Sequence, residues 1–148
     1  MPLKLALDRS VLRAYLRPVG GGQAWESTVD LQQAGAVLHV LPSVAEEMKA
    51  DGDEWRQLWR DAGLTEVPID DFLQGCAAGL AQRYLDYHPD PRNCRVAAEA
   101  ECANLDIVLT LDPDFINGLA GRVEKIRIAT PWEAAQGHRR TDVSPGPS

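Results

Sequence analysis

Three short, almost wholly apolar runs constrain this chain more than anything else in it, LKLAL at 3–7, AVLHVL at 36–41 and DIVLTL at 106–111, with KIRIAT at 125–130 as a shorter fourth strand. Strands that are apolar at nearly every position, rather than at alternate ones, are buried on both faces. Long stretches of helical periodicity separate them, as the crossovers of a parallel sheet require. RSVLRAYL at 9–16 puts Val11, Leu12, Tyr15 and Leu16 on one side, and a second helix runs from about Trp25 to Gln33, ended by Gly35. PSVAEEMKA at 42–50 opens with Ser43 and carries Glu46 three residues on, a capping-box pattern. Residues 53–63 space Trp55, Leu58, Trp59 and Ala62 as a core-facing stripe; 69–87 and the small-residue segment 90–105 are further helices, and PVGGG at 18–22 is a turn. The pattern predicts a three-layer α/β/α sandwich around a central parallel sheet of four to five strands.

The 148 residues suffice for one domain, expected over 1–137, with a polar, Pro/Gly/Ser-rich tail at 138–148 expected to be flexible. Apolar runs this short do not span a bilayer, and MPLKLALD meets a charge where a signal peptide needs an unbroken apolar core, so a cytoplasmic protein with no membrane association is expected. A net charge of −7 excludes a generally basic, nucleic-acid-coating surface and leaves room for a local basic path. Cys76, Cys94 and Cys102 form no CxxC pair and are read as reduced packing residues. His39, His88 and His138 show no ligand spacing, and no serine or cysteine sits in a nucleophile motif, which sets triad chemistry aside.

The chemistry that remains is acidic. LTLDPDF at 109–115 runs from strand into Asp-Pro-Asp, which alone reads as a helix cap followed by proline at the first helical position. In open parallel sheets, however, functional groups gather beyond the carboxyl ends of the strands. Asp8 follows the first strand and Asp112 the third; Glu47 lies on the helix after the second, and Asn93 opens the helix that leads back into the third. Together with Asp114 these are expected neighbours. Carboxylates so crowded repel one another unless a cation neutralises them, and oxygen-only ligands suit Mg²⁺ or Mn²⁺ rather than zinc.

At this point the chain resembles the PIN domain family. LALDRSVL supplies the opening motif with Asp8, Ser10, Val11 and Leu12; LPSVAEEM the second, with Glu47 before an apolar residue; NCRVAAEAE the third; and LTLDPDF the fourth, with Thr110, Asp112, Asp114 and Phe115. IATPWEA resembles the usual ending, and order and spacing fit over residues 3–136. The resemblance implies a metal-dependent ribonuclease, of the kind that includes toxins of toxin–antitoxin pairs. Asp8, Glu47 and Asp112 would hold Mg²⁺ or Mn²⁺, with Asn93 and Asp114 completing or orienting the catalytic shell.

One position departs from the pattern: the third motif normally begins with aspartate, and this chain has Asn93. An amide oxygen still coordinates a hard cation but carries no charge, which weakens both metal binding and activation of bound water. Asp90, one turn earlier, is either a substitute ligand or the cap of its helix. Arg9, Arg13 and Arg17 recur at four-residue intervals as an RNA-backbone path or as a solvated face paired with acids; Arg92 and Arg95 pose the same choice. Trp55 and Trp59 are core, or a patch for an antitoxin or a second copy of the chain. Two readings follow: an endoribonuclease acting on RNA, or a non-catalytic PIN-like module binding RNA or a protein. A phosphatase-like α/β enzyme is disfavoured because strand one lacks a DxD pair.

Overall fold

The computed structural model describes residues 2–16 and 22–142. Among them, strands β1 (Lys4–Leu7), β2 (Val37–Val40), β3 (Thr65–Glu66), β4 (Ile107–Leu109) and β5 (Arg127–Ala129) form one sheet in the order β3-β2-β1-β4-β5. Every pairing is parallel, with Leu5 opposite both Leu38 and Ile107. The helices are α1 (Arg9–Leu16), α2 (Gln23–Gln33), α3 (Pro42–Ala50), α4 (Glu54–Ala62), α5 (Asp71–Tyr84), α6 (Pro91–Cys102), α7 (Pro113–Leu119) and α8 (Pro131–Asp142). This is the expected sandwich, and β3 is the strand that two exposed polar residues hid from the apolar pattern.

The order of strands decides where a site can form. From β1 the chain moves to β2 and β3 on one side; it returns to β4 on the other side of β1 and ends at β5. Right-handed crossovers therefore set α1–α4 against one face and α5–α7 against the other. Helix α1 packs on α2 and α4, α2 on α8 and α5 on α6, and α3 also reaches α6. Leu5, Ala6, Leu7, Val108 and Leu109 have no exposure at all, as strands covered on both faces must. The connections leaving β1 and β4 part in opposite directions, and a crevice opens between their carboxyl ends.

Three local expectations are corrected. Helix α3 begins at Pro42 behind Leu41 and has no side-chain cap. Ser43 lies inside the helix and faces α6, its hydroxyl and backbone N–H both donating to Glu99 Oε1 (2.7 and 3.1 Å), so the capping box with Glu46 does not form. Cys76 and Cys102 are joined in a disulfide that ties α5 to α6, and Cys94 alone is the buried free thiol among the described residues. Their spacing of 26 residues encodes no motif; only the packing of the two helices brings them together. Helix α8 continues to Asp142, past Gln136 where the apolar pattern ended. Of the expected turn at 18–22 only Gly22 is described, with φ 70° just before α2, and the remainder of the tail, 143–148, lies outside the described residues. Also among the described residues, no helix is long and apolar enough to cross a membrane.

Helix α6 anchors strand β5 through one buried carboxylate. Glu101, 6% exposed, accepts the backbone N–H groups of Lys125 (2.8 Å) and Ile126 (3.1 Å) as the chain turns into the strand. Glu101→Ala leaves two N–H groups without acceptors and should cost about 2–3 kcal/mol, whereas Glu101→Gln keeps an acceptor oxygen and should cost less than half of that. Urea unfolding of the three proteins measures it; equal losses in both variants would assign the effect to packing instead.

Candidate active site at the carboxyl edge of the sheet

Asp8 is the first residue after β1, and its backbone N–H donates to the carbonyl of Leu109 (3.0 Å), so its side chain emerges into the crevice between β1 and β4. The residue is 1% exposed. A carboxylate buried to that degree needs partners on both oxygens. Oδ2 receives the hydroxyls of Thr110 (2.8 Å) and Ser10 (3.1 Å). These hydroxyls are themselves used as acceptors, Ser10 by the N–H of Leu111 and Thr110 by the N–H of Asp112, so one network stitches the start of α1 to the segment leaving β4.

Oδ1 of Asp8 faces Arg92, and around that guanidinium the predicted residues meet. Arg92 Nη2 donates to Asp8 Oδ1 (2.5 Å) and Glu47 Oε1 (2.8 Å); Nε lies 2.8 and 3.0 Å from the two oxygens of Glu47; Nη1 donates to Asn93 Oδ1 (2.8 Å). Glu47 also receives Arg9 Nη1 at 2.7 Å. Burial alone would lower the pKa of Arg92, but its hydrogen bonds to Glu47 and the charge of Asp8 outweigh that and raise it. Its positive charge is permanent at any pH the fold survives.

Asn93 is buried and points its amide at two groups. Nδ2 lies 3.1 Å from Nε2 of His88 and, more loosely, 3.5 Å from Asp112 Oδ2. His88 is itself buried, held by its carbonyl accepting the Cys94 thiol and by Gly118 of α7, where any Cβ would collide with the imidazole. The sequence marks His88 only as one of three scattered histidines; that it neighbours the third acidic motif by five residues is the signal that was there. Ser10 and Thr110 belong to the quoted motifs, but their shared grip on Asp8 becomes visible only with the strands paired.

Asp112 caps α7, its Oδ1 accepting the N–H of Asp114 (2.9 Å), as the cap reading expects, while its Oδ2 is the oxygen that faces Asn93. Asp114 is exposed on the first turn of α7 and joins the network through its backbone. Asp90 is the cap of α6, accepting the N–H of Arg92 at 3.0 Å. The other candidate cations each hold an acid: Arg13 grips Asp51 through Nε and Nη2 (3.0 and 2.7 Å), and Arg95 bonds Glu99 (3.0 Å). Arg17 lies outside the described residues. Trp55 and Trp59 stack edge to face at 5.1 Å, partly buried against the core.

The donor chemistry, three carboxylates with an amide oxygen, fits a hard divalent cation. The spacing does not yet present one: among the described residues no three His, Cys, Asp or Glu side chains are gathered as a ready metal site. A guanidinium stands among the acids.

No family model matches the chain, and no curated protein matches it either. Its fold does have a counterpart in VapBC2 from Rickettsia felis, solved bound to a DNA fragment from their promoter. The TM-score is 0.60 over 85% of this chain and 97% of that chain, at 10% identity. What the two chains share is a fold, a parallel sheet in the order β3-β2-β1-β4-β5 between layers of helices. At such identity the likeness concerns architecture, and the chemistry must be argued from the crevice.

If Thr110 exists to hold Asp8, its removal should matter only while Asp8 is charged. Thr110→Val should destabilise the fold by about 1–3 kcal/mol, and by clearly less in an Asp8→Asn background, where no buried charge is left short of a donor. Thermal or urea unfolding of the four proteins closes the cycle; additive losses would mean that the hydroxyl serves the Asp112 N–H alone.

Proposed function

We propose that this chain is a divalent-metal-dependent endoribonuclease of the PIN type, working as the toxin of a toxin–antitoxin pair. The observation that carries the reading is the convergence of Asp8, Glu47, Asn93 and Asp112, delivered by four separate segments, on the crevice of a PIN-like fold. Asp8, Glu47 and Asp112 are the residues that would hold Mg²⁺ or Mn²⁺, with the Asn93 oxygen beside them and Asp114 at the rim. When bound, such an ion supplies positive charge for the phosphodiester oxygens and eases deprotonation of an attacking water.

The chain's own residues set the conditions for that chemistry. Ser10 and Thr110 orient Asp8 by donating two hydroxyls to one oxygen. His88 fixes the plane of the Asn93 amide by taking up its nitrogen side, which leaves the oxygen facing Arg92 and the acids. Arg9, 40% exposed at the side chain beside Glu47, is placed to meet a phosphate of RNA arriving at the rim. The R. felis complex was solved on promoter DNA, which supports an antitoxin protein as partner here, and a cytoplasmic pair.

A second reading has its own observation. Asn93 is neutral, and the charges of Asp8 and Glu47 are matched by those of Arg92 and Arg9, so two of the three carboxylates are already paired within the protein. On that reading the chain is a PIN-like module that binds RNA or a protein without cleaving.

The two part experimentally. For the ribonuclease, Mn²⁺ at about a hundred times its Kd should stabilise the native state by about 2.7 kcal/mol, raising Tm by several degrees, and Asp8→Ala should abolish the shift. Asn93→Asp should increase both the shift and cleavage of single-stranded RNA, and should lower Tm in EDTA through the added negative charge. Absence of cleavage by both proteins, with Mn²⁺ present and bound, would hand the chain to the non-catalytic reading.

A further inference from the structure

Arg92 fills the point where two of the three proposed metal ligands, Asp8 and Glu47, meet the Asn93 oxygen. All three nitrogens of its guanidinium are engaged, by both oxygens of Glu47, one of Asp8 and the amide oxygen of Asn93. Two carboxylates share the single atom Nη2, the arrangement a small cation would otherwise hold. Yet the side chain is 21% exposed, so the group sits at the mouth of the crevice and is not sealed beneath it. Its backbone is fixed independently, on the first turn of α6 with its N–H held by Asp90. The long, unbranched side chain can leave the acids without any movement of the helix.

We propose, resting on the ribonuclease reading, that Arg92 is an exchangeable internal cation that reports substrate to the metal site. In the free protein it neutralises Asp8 and Glu47 and excludes a divalent ion by position and by charge. An RNA backbone entering the crevice offers the same guanidinium a phosphate, to which its planar fork is equally matched. Arg92 moves from the carboxylates to the phosphate, and Asp8 and Glu47, so freed, would be available to hold the divalent cation. Metal and RNA therefore bind with positive coupling, and linkage makes that coupling the same in both directions. Asn93 suits this device: an aspartate there would hold the guanidinium back with a further charge.

The test is isothermal titration with Mn²⁺ alone, and with Mn²⁺ in the presence of a cleavage-resistant 2′-O-methyl RNA, on wild type, Arg92→Gln, Arg92→Lys and Asp8→Ala. Arg92→Gln removes a like charge from the cation position and should bind Mn²⁺ at least about tenfold more tightly than wild type without RNA. It should bind the RNA more weakly, and RNA should no longer alter its Mn²⁺ affinity, whereas wild type should gain affinity when RNA is present. Arg92→Lys retains a charge in case the first variant does not fold; having lost the fork, it should also bind Mn²⁺ more tightly than wild type. Mn²⁺ affinity unchanged or reduced in the folded variants, or wild-type affinity indifferent to RNA, overturns the exchange while leaving the metal site standing. Binding in Asp8→Ala equal to that in the other proteins, or no Mn²⁺ binding in any of them with or without RNA, overturns the ribonuclease reading itself and the exchange with it.

Discussion

A carboxylate with 1% exposure at the end of the central strand is the constraint on which the rest of this structure turns. Strand β1 is buried on both faces, so the residue that follows it enters the densest part of the molecule, and an unpaired charge there would cost several kcal/mol. The fold answers with two hydroxyls on one oxygen and a guanidinium on the other. Each partner comes from a different part of the chain: Ser10 from the helix just begun, Thr110 from the segment that leaves the neighbouring strand, Arg92 from the helix that returns to it. Satisfying Asp8 thus demands the parallel pairing of β1 with β4 and the docking of α6 against both. The same demand assembles the crevice, because whatever neutralises Asp8 must stand where Glu47 and Asn93 also reach.

The layered α/β class, four of the strands and the edge of the sheet that carries the acids were legible in the sequence, for a physical reason. Burial on both faces writes itself as continuous apolar runs, and the placing of acids directly after those runs follows from chain direction alone. Strand β3 was not legible: Thr65 and Glu66 lie exposed at the sheet edge, where nothing selects for apolar side chains. Ser43 was misread because a capping box is a local pattern and Glu99, its actual partner, is 56 residues away. The Cys76–Cys102 bond was missed because α5 and α6 must pack before the two thiols are neighbours. Asp112 shows the opposite case, where the local pattern sufficed: the cap read from Asp-Pro-Asp is the cap observed, and it leaves Oδ2 toward Asn93.

The arginines mark the boundary of what pattern can tell. A four-residue repeat of Arg9, Arg13 and Arg17 shows a basic helix face but not what it faces. The structure gives Arg13 to Asp51 and Arg9 to Glu47, partly exposed ion pairs whose energies are small and whose exchange for a phosphate is correspondingly cheap. Arg92 differs, since its contacts are more numerous and reach a buried acid. An arginine that is expensive to leave unpaired and still reaches solvent will move only for a partner of comparable strength, and a phosphodiester is such a partner.

Helix α6 makes such a movement local. Its C-terminal half is fastened three ways: Cys102 to α5 by the disulfide, Glu101 to the start of β5, and Glu99 to Ser43 at the start of α3. Its N-terminus is fixed by the Asp90 cap, and Asn93 is buried against His88. With the backbone pinned at both ends, rearrangement at the site is confined to side chains, and of those on the helix's first turn Arg92 is the one with reach. The acids it releases stay where the strands and hydroxyls hold them. A rigid frame carrying one mobile charge is what allows Asp8 and Glu47 to be paired within the protein and still be ready to accept an ion.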